Sequence, residues 1–154
     1  MKKIYTLATC LLLGLASFAQ PDPNFHIYLC FGQSNMDGQG PIANEDKEGI
    51  SERALVMHGV KCSSTGREYG NWYKAVPPLV RCDTKLGPAD YFVRTMADSM
   101  PDYVRVGVII VSVAGCDIKL FEKDGYQSYI KTAESWMKNI ISQYDNNPYQ
   151  RLID

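Results

Sequence analysis

Histidine is scarce in this chain: His26 and His58 are the only two among 154 residues. No Cys-x-x-Cys spacing occurs and neither histidine falls near a cysteine cluster, so the residues carry no zinc-site pattern, and no metal or cofactor is expected. Charge of one sign is equally short. The 16 Lys and Arg nearly cancel the 17 Asp and Glu, leaving a net charge of −1. Such a balance gives no electrostatic footprint for nucleic acid and no basic cluster for a membrane surface, which favours a neutral substrate. Long apolar runs are missing too. The apolar stretch at residues 4–15 is shorter than the roughly 20 residues that span a bilayer. Internal repeats and low-complexity tracts are absent, which argues against a solenoid or a disordered linker.

That short apolar stretch has a different use. Lys2 and Lys3 precede it, and Ser17, Phe18 and Ala19 follow it just before Gln20. A basic start, a short apolar core and a small-x-small end form the layout of a secretory signal peptide. Residues 1–19 are therefore expected to be removed after Ala19, with the periplasm or the exterior as destination. Cys10 comes before most of the apolar core, the wrong order for a lipoprotein. The remaining 20–154 is the size of one modest domain. It keeps Cys30, Cys62, Cys82 and Cys116, which allow three pairings in an oxidising compartment. Cys30 sits in a buried-strand pattern and reads as a small core hydrophobe. Cys62 and Cys82 both lie in loop-like sequence and are the favoured pair.

The stretch around which the chain is organised is FHIYLCFGQSNM at residues 25–36. Its unbroken apolar run, Ile27 to Phe31, predicts a central parallel strand buried on both faces. Ligands in open α/β sheets bind beyond the carboxyl ends of such strands. Ser34 stands at that end, after Gly32, which permits close backbone approach, and before a helix amino terminus with unpaired N–H groups. It is the candidate nucleophile. Gln33 and Asn35 read as supports that orient the turn, and Asp37 either does the same or faces solvent. The plainer reading is a polar loop that closes a βα connection.

Further along, residues 37–49 read as a loop over the site and 54–60 as a strand. Residues 61–86 are irregular, interrupted by Gly66, Gly70, Pro77 and Pro78. Trp72 and Tyr73 in that segment either stack on a sugar ring or pin the loop to the body. Pro88 suits a first helical position, and Ala89, Phe92, Val93, Met96, Ala97 and Met100 form one apolar stripe ended by Pro101. Residues 104–114 predict another buried strand, completing a strand-helix-strand crossover. At its end, the N–H of Gly115 is a candidate oxyanion donor, or the glycine only lets the chain turn. Residues 127–144 carry a second amphipathic pattern that predicts a helix in its second half, and Asn147-Pro148 looks like the cap and first position of a further helix. Serine chemistry needs a base. His58 reads more readily as structural, and His26, eight residues before Ser34, would lie roughly 26 Å away along an extended strand.

Residues 31–38, FGQSNMDG, resemble the first motif of the SGNH hydrolases, in the branch of carbohydrate esterase family 6 and the sialate O-acetylesterases. Met36 stands where the nucleophile elbow of α/β-hydrolases has its second glycine, so the resemblance is not to that fold. LGPADYF at 86–92 is similar to sequence between the first two family motifs, and SVAGCD at 112–117 resembles the second, with Cys116 where a second glycine is common. The resemblance implies an α/β, flavodoxin-like three-layer sandwich with a central parallel sheet, of which residues 20–154 are the amino-terminal part. It also implies that Ser34 attacks an acetyl ester while the N–H groups of Ser34 and Gly115 hold the oxyanion. The family's Gln-Gly-Glu and Asp-x-x-His motifs do not occur, so the chain as given is expected to be poorly active for want of a base. The implied function is that of a secreted serine carbohydrate esterase that removes O-acetyl groups from sugars, of acetyl xylan or sialate type, through an acyl-enzyme. The partner is an acetylated carbohydrate, with no nucleic acid and, after signal cleavage, no membrane. An SGNH lipase or arylesterase and a non-catalytic sugar-binding fragment are the alternatives.

Overall fold

Side chains along an extended segment point alternately to opposite faces, and Phe25–Gly32 uses this to meet two different environments. In the computed structural model, which describes residues 20–154, this segment is strand β1. The expected signal peptide, residues 1–19, lies outside the described residues. After β1 come a one-turn helix α1 (Ser34–Asp37), β2 (Ala54–Met57), β3 (Trp72–Lys74), helix α2 (Pro88–Ser99) and β4 (Arg105–Ser112). Helices α3 (Tyr126–Thr132), α4 (Ser135–Ser142) and α5 (Pro148–Ile153) complete the described chain. The strands form one sheet in the order β1-β4-β2-β3. Strand β4 runs parallel to β1, with Phe25 opposite Arg105 and Gly32 opposite Ser112, and parallel to β2 on its other side. Strand β3 is antiparallel to β2. The class is α/β with a mostly parallel sheet, as expected.

Helix α2 forms where its apolar stripe predicts. Pro88 occupies its first turn, the Asp90 carboxylate accepts the N–H of Gly87 at 2.8 Å, and Pro101 follows its end. Ala89, Val93 and Ala97 are buried against Val56, Val106, Val108 and Ile110, with Tyr28 and Cys30 of β1 at the margin. On the opposite face Val111 and Val113 pack with Met137 and Ile141 of α4, Tyr144, and Leu152 of α5. Asn147 caps α5 by accepting the N–H of Gln150 at 3.0 Å, and Pro148 begins that helix.

Two expectations need correction. Strand β1 is an edge strand, not a central one; β4 and β2 are the strands paired on both sides. Ile27, Leu29 and Phe31 of β1 are 48%, 51% and 44% exposed, because α4 and α5 cover the second face over Val111 and Val113 but not over β1. The segment 61–86 is not wholly irregular: Trp72–Lys74 pairs with β2. The amphipathic stretch 127–144 is helical in its second half as its pattern predicts, in α4, with α3 before it and extended backbone at Ala133 and Glu134 between them.

Candidate active site

Where β1 ends, Gln33 leaves the strand and Ser34 becomes the first residue of α1. The amides of Met36 and Asp37 donate to the Gln33 carbonyl at 2.9 and 3.0 Å, closing the turn. The Ser34 carbonyl accepts the Gly38 N–H at 3.2 Å and the Gln39 side-chain amide at 3.0 Å. Ser34 is half-buried, and its hydroxyl bonds to no neighbour among the described residues. As the first helical residue, Ser34 has an N–H with no intrahelical partner. Gln33 and Asn35, the supports read from the sequence, have exposed side chains. Gly38 has φ of +94°, and a Cβ there would fall on the carbonyl oxygen of Lys85. The turn is thereby pressed against the segment that leads into α2, to which Gly40 is also paired through Leu86.

The end of β4 lies beside this turn. The Val113 N–H donates to the Gly32 carbonyl at 3.1 Å, and the Cys116 thiol reaches the same oxygen at 3.7 Å. Gly115 adopts φ of +70°, and a Cβ there would lie 2.9 Å from the Trp136 ring. Its amide is spent on no hydrogen bond among the described residues. Past it, the Tyr129 hydroxyl accepts the Asp117 N–H at 2.9 Å, tying α3 to the turn. Gly32, Gln33, Cys116, Ile118 and Phe121 line an open depression of about 190 Å³ at this junction. A larger depression of about 460 Å³, between α3 and residues 145–147, shares no residue with either turn and is not the candidate site. Burial pushes the Cys116 thiol up to about 11, which keeps it protonated near neutrality.

Beneath the two turns runs a buried polar network. Arg81 grips Asp37 with two bonds, Nη1 to Oδ1 at 2.7 Å and Nη2 to Oδ2 at 3.1 Å. The same Nη1 donates to the Ser112 carbonyl at 2.8 Å. The Ser112 hydroxyl donates to Asp37 Oδ1 at 2.6 Å, and the Tyr144 hydroxyl donates to the Ser112 carbonyl at 3.2 Å. Burial alone would lower the basicity of Arg81, but the Asp37 carboxylate and the Tyr144 oxygen overcome it and hold the guanidinium above its ordinary range. Asp37 is therefore not turned to solvent, one of the two orientations read for it. Arg81, Ser112 and Tyr144 were not legible as site residues. Arg81 and Asp37 are 44 positions apart, and only the crossover brings them together. The segment carrying Arg81 is itself tied by the Cys62–Cys82 disulfide, the pairing favoured from sequence. Cys30 and Cys116 are free thiols.

The remaining candidates lie elsewhere. Trp72 packs edge-on against Phe25 at 4.8 Å between ring centroids. Phe25 and Gly32 are at opposite ends of β1, about 23 Å apart at about 3.3 Å per residue. The structure thus does not bring Trp72 to Ser34. Tyr73 accepts the Glu68 N–H at 2.8 Å through its hydroxyl and receives the Arg67 guanidinium over its ring. His58 is fully buried with Nδ1 2.6 Å from the Val60 carbonyl, and burial lowers its basicity. Among the described residues, no group of three or more His, Cys, Asp or Glu could hold a metal ion.

A family model described as carbohydrate esterase, sialic acid-specific acetylesterase, matches residues 24–145. The matched region contains both turns, Arg81 and Tyr144. Among solved structures, one from Arabidopsis thaliana is similar at 20% identity and a TM-score of 0.48. The alignment covers 71% of this chain and 50% of that one, so the chain spans half the length of this relative.

Proposed function

The chain belongs to the carbohydrate esterase family of sialic acid-specific acetylesterases, and from that premise we propose that Ser34 is the nucleophile of a secreted esterase that removes O-acetyl groups from sugars through an acyl-enzyme. The observation that carries this reading is the junction of the two turns. A serine whose hydroxyl has no partner among the described residues begins a helical turn, and the amide of Gly115, likewise unengaged among them, lies three residues past the end of β4, where the Val113 N–H bonds the Gly32 carbonyl.

In the proposed reaction the Ser34 oxygen attacks the acetyl carbonyl. The N–H groups of Ser34 and Gly115 donate to the developing oxyanion, where fixed donors are worth most. A histidine base of the kind the family places in its Asp-x-x-His motif takes the hydroxyl proton and returns it to the departing sugar alcohol. Water then attacks the acyl-enzyme and acetate leaves. Neither histidine of this chain is bonded to Ser34: His58 is committed to the Val60 carbonyl, and His26 is the second residue of β1, at the end of the strand away from Ser34. The small depression at the junction, bordered by Ile118 and Phe121, suits a short acyl group. Export of the mature chain is supported by the Cys62–Cys82 disulfide, a feature of oxidising compartments.

The test is acetate release from O-acetylated xylan and O-acetyl sialic acid. The wild-type chain, a form extended through an Asp-x-x-His motif, and Ser34→Ala in each background are compared. The extended form is expected to release acetate, with a fall of at least about 10³-fold on removing Ser34. Undiminished release by Ser34→Ala would refute the assignment. A series of nitrophenyl esters separates an acetylesterase, whose rate falls beyond short acyl groups, from a lipase.

A further inference from the structure

We infer that Arg81 is a positioning residue for Ser34, acting through Asp37 and Ser112 to hold the serine turn in register with the glycine turn at the end of β4. The inference rests on Ser34 being the nucleophile and deepens that reading. Asp37 is the last residue of α1, and its own amide closes the turn that begins at Gln33. Ser112 is the last residue of β4, paired across the sheet with Gly32, and three positions before Gly115. One guanidinium reaches the carboxylate of the first and the carbonyl of the second. The Ser112 hydroxyl closes the triangle on Asp37. The relative placement of the Ser34 hydroxyl and the Gly115 amide is thereby set by a fork with fixed angles, where a packed apolar contact would slide.

Energetics favour this reading over simple packing. A buried ion pair gains little over well-matched apolar side chains of similar volume, because both charges lose their water. What a bidentate pair adds is orientation. Orientation matters here because an oxyanion must meet both donors within hydrogen-bond distance, and a small misplacement of reacting groups costs about 10²-fold in rate. Removing one partner alone would strand a buried charge and endanger folding. The informative variant is therefore the double one, Asp37→Leu with Arg81→Met.

The experiment compares wild type and this double variant in the extended, Asp-x-x-His-containing form. It reads the rate of covalent labelling of Ser34 by a fluorophosphonate probe, the thermal midpoint, and amide exchange along the chain, including Met36, Asp37 and Gly38, β4 and α2. The expected result is a midpoint near that of wild type, labelling at least about tenfold slower, and faster exchange confined to residues 33–38. Arg81→Lys, which keeps charge but loses the fork, should fall between the two. Wild-type labelling and exchange in the double variant would overturn the inference. So would exchange that rises evenly through β4 and α2, or failure to fold, since either makes the pair a general structural requirement. If wild-type Ser34 is not labelled at all, the esterase reading fails, and exchange at 36–38 alone decides whether Arg81 holds the turn.

Discussion

His58 donates Nδ1–H to the Val60 carbonyl, and its Nε2 is buried without a partner. Burial disfavours the imidazolium, so its folded-state pKa lies below the ordinary value near 6.5. The unfolded chain then binds the extra proton first as pH falls. Stability is expected to be flat above pH 6.5 and to decline below it by up to about 1.4 kcal/mol per pH unit until the folded form also protonates. Chemical denaturation of wild type and His58→Gln between pH 7.5 and 5 checks this, and an equal slope in both would count against it. Cys116 makes a second residue-level case. With its thiol pushed up to about 11 by burial, its thiolate fraction at pH 8 is roughly 10² below that of a free cysteine. Alkylation by iodoacetamide, followed by intact mass, should be slower by about that factor. Gly115 combines φ of +70° with the Trp136 ring against its would-be Cβ. Gly115→Ala is expected to cost about 1–3 kcal/mol in stability, which the denaturation midpoint measures.

Among the elements, α2 and β4 were readable because each obeys one period along its length: apolar residues every three or four positions in α2, and a continuous apolar run in β4. The cap and first position of α5 were equally local, carried by Asn147 and Pro148. Strand β3 was not. Its three residues have no period to detect, and they are a strand only because β2 offers Val56 and Met57 as partners for Tyr73 and Trp72. The Cys62–Cys82 bond closes the segment that contains β3 and ends beside Arg81. Replacing both cysteines by serine is expected to lower stability by about 2–4 kcal/mol through the freer unfolded chain. Amide exchange near residues 81–84 should rise with it, and a variant with unchanged stability would show that the loop is held by β3 and by Arg67, whose guanidinium donates to the carbonyls of Val76 and Pro78 at 2.6 and 2.7 Å.

At the scale of the whole molecule, one sheet face is covered along β1, β4 and β2 by α2, whereas the other is covered by α4 and α5 near its carboxyl end and by Trp72 and Phe25 over Gly107, which leaves the middle of β1 open. Ile27, Leu29 and Phe31 form an apolar row on an edge strand whose outer side pairs with no strand among the described residues. Such an edge invites association. Leu29→Lys is expected to reduce dye binding to apolar surface and concentration-dependent scattering while leaving the thermal midpoint within about 1 °C, since the side chain is half in water already. A large fall in midpoint would contradict that exposure. By itself the sequence determined the α/β class, the serine turn after an apolar strand and the glycine turn after β4, because each depends on residues close together in the chain; among the three pairings it left open, the loop-like setting of Cys62 and Cys82 favoured the one the structure holds. Only the tertiary structure decided that β4 and not β1 is central, that Trp72 lies at the far end of the sheet from Ser34, and that Arg81 joins Asp37 to Ser112. Those facts depend on strand order and on a crossover that brings distant residues together, and a local pattern of side chains contains no record of either.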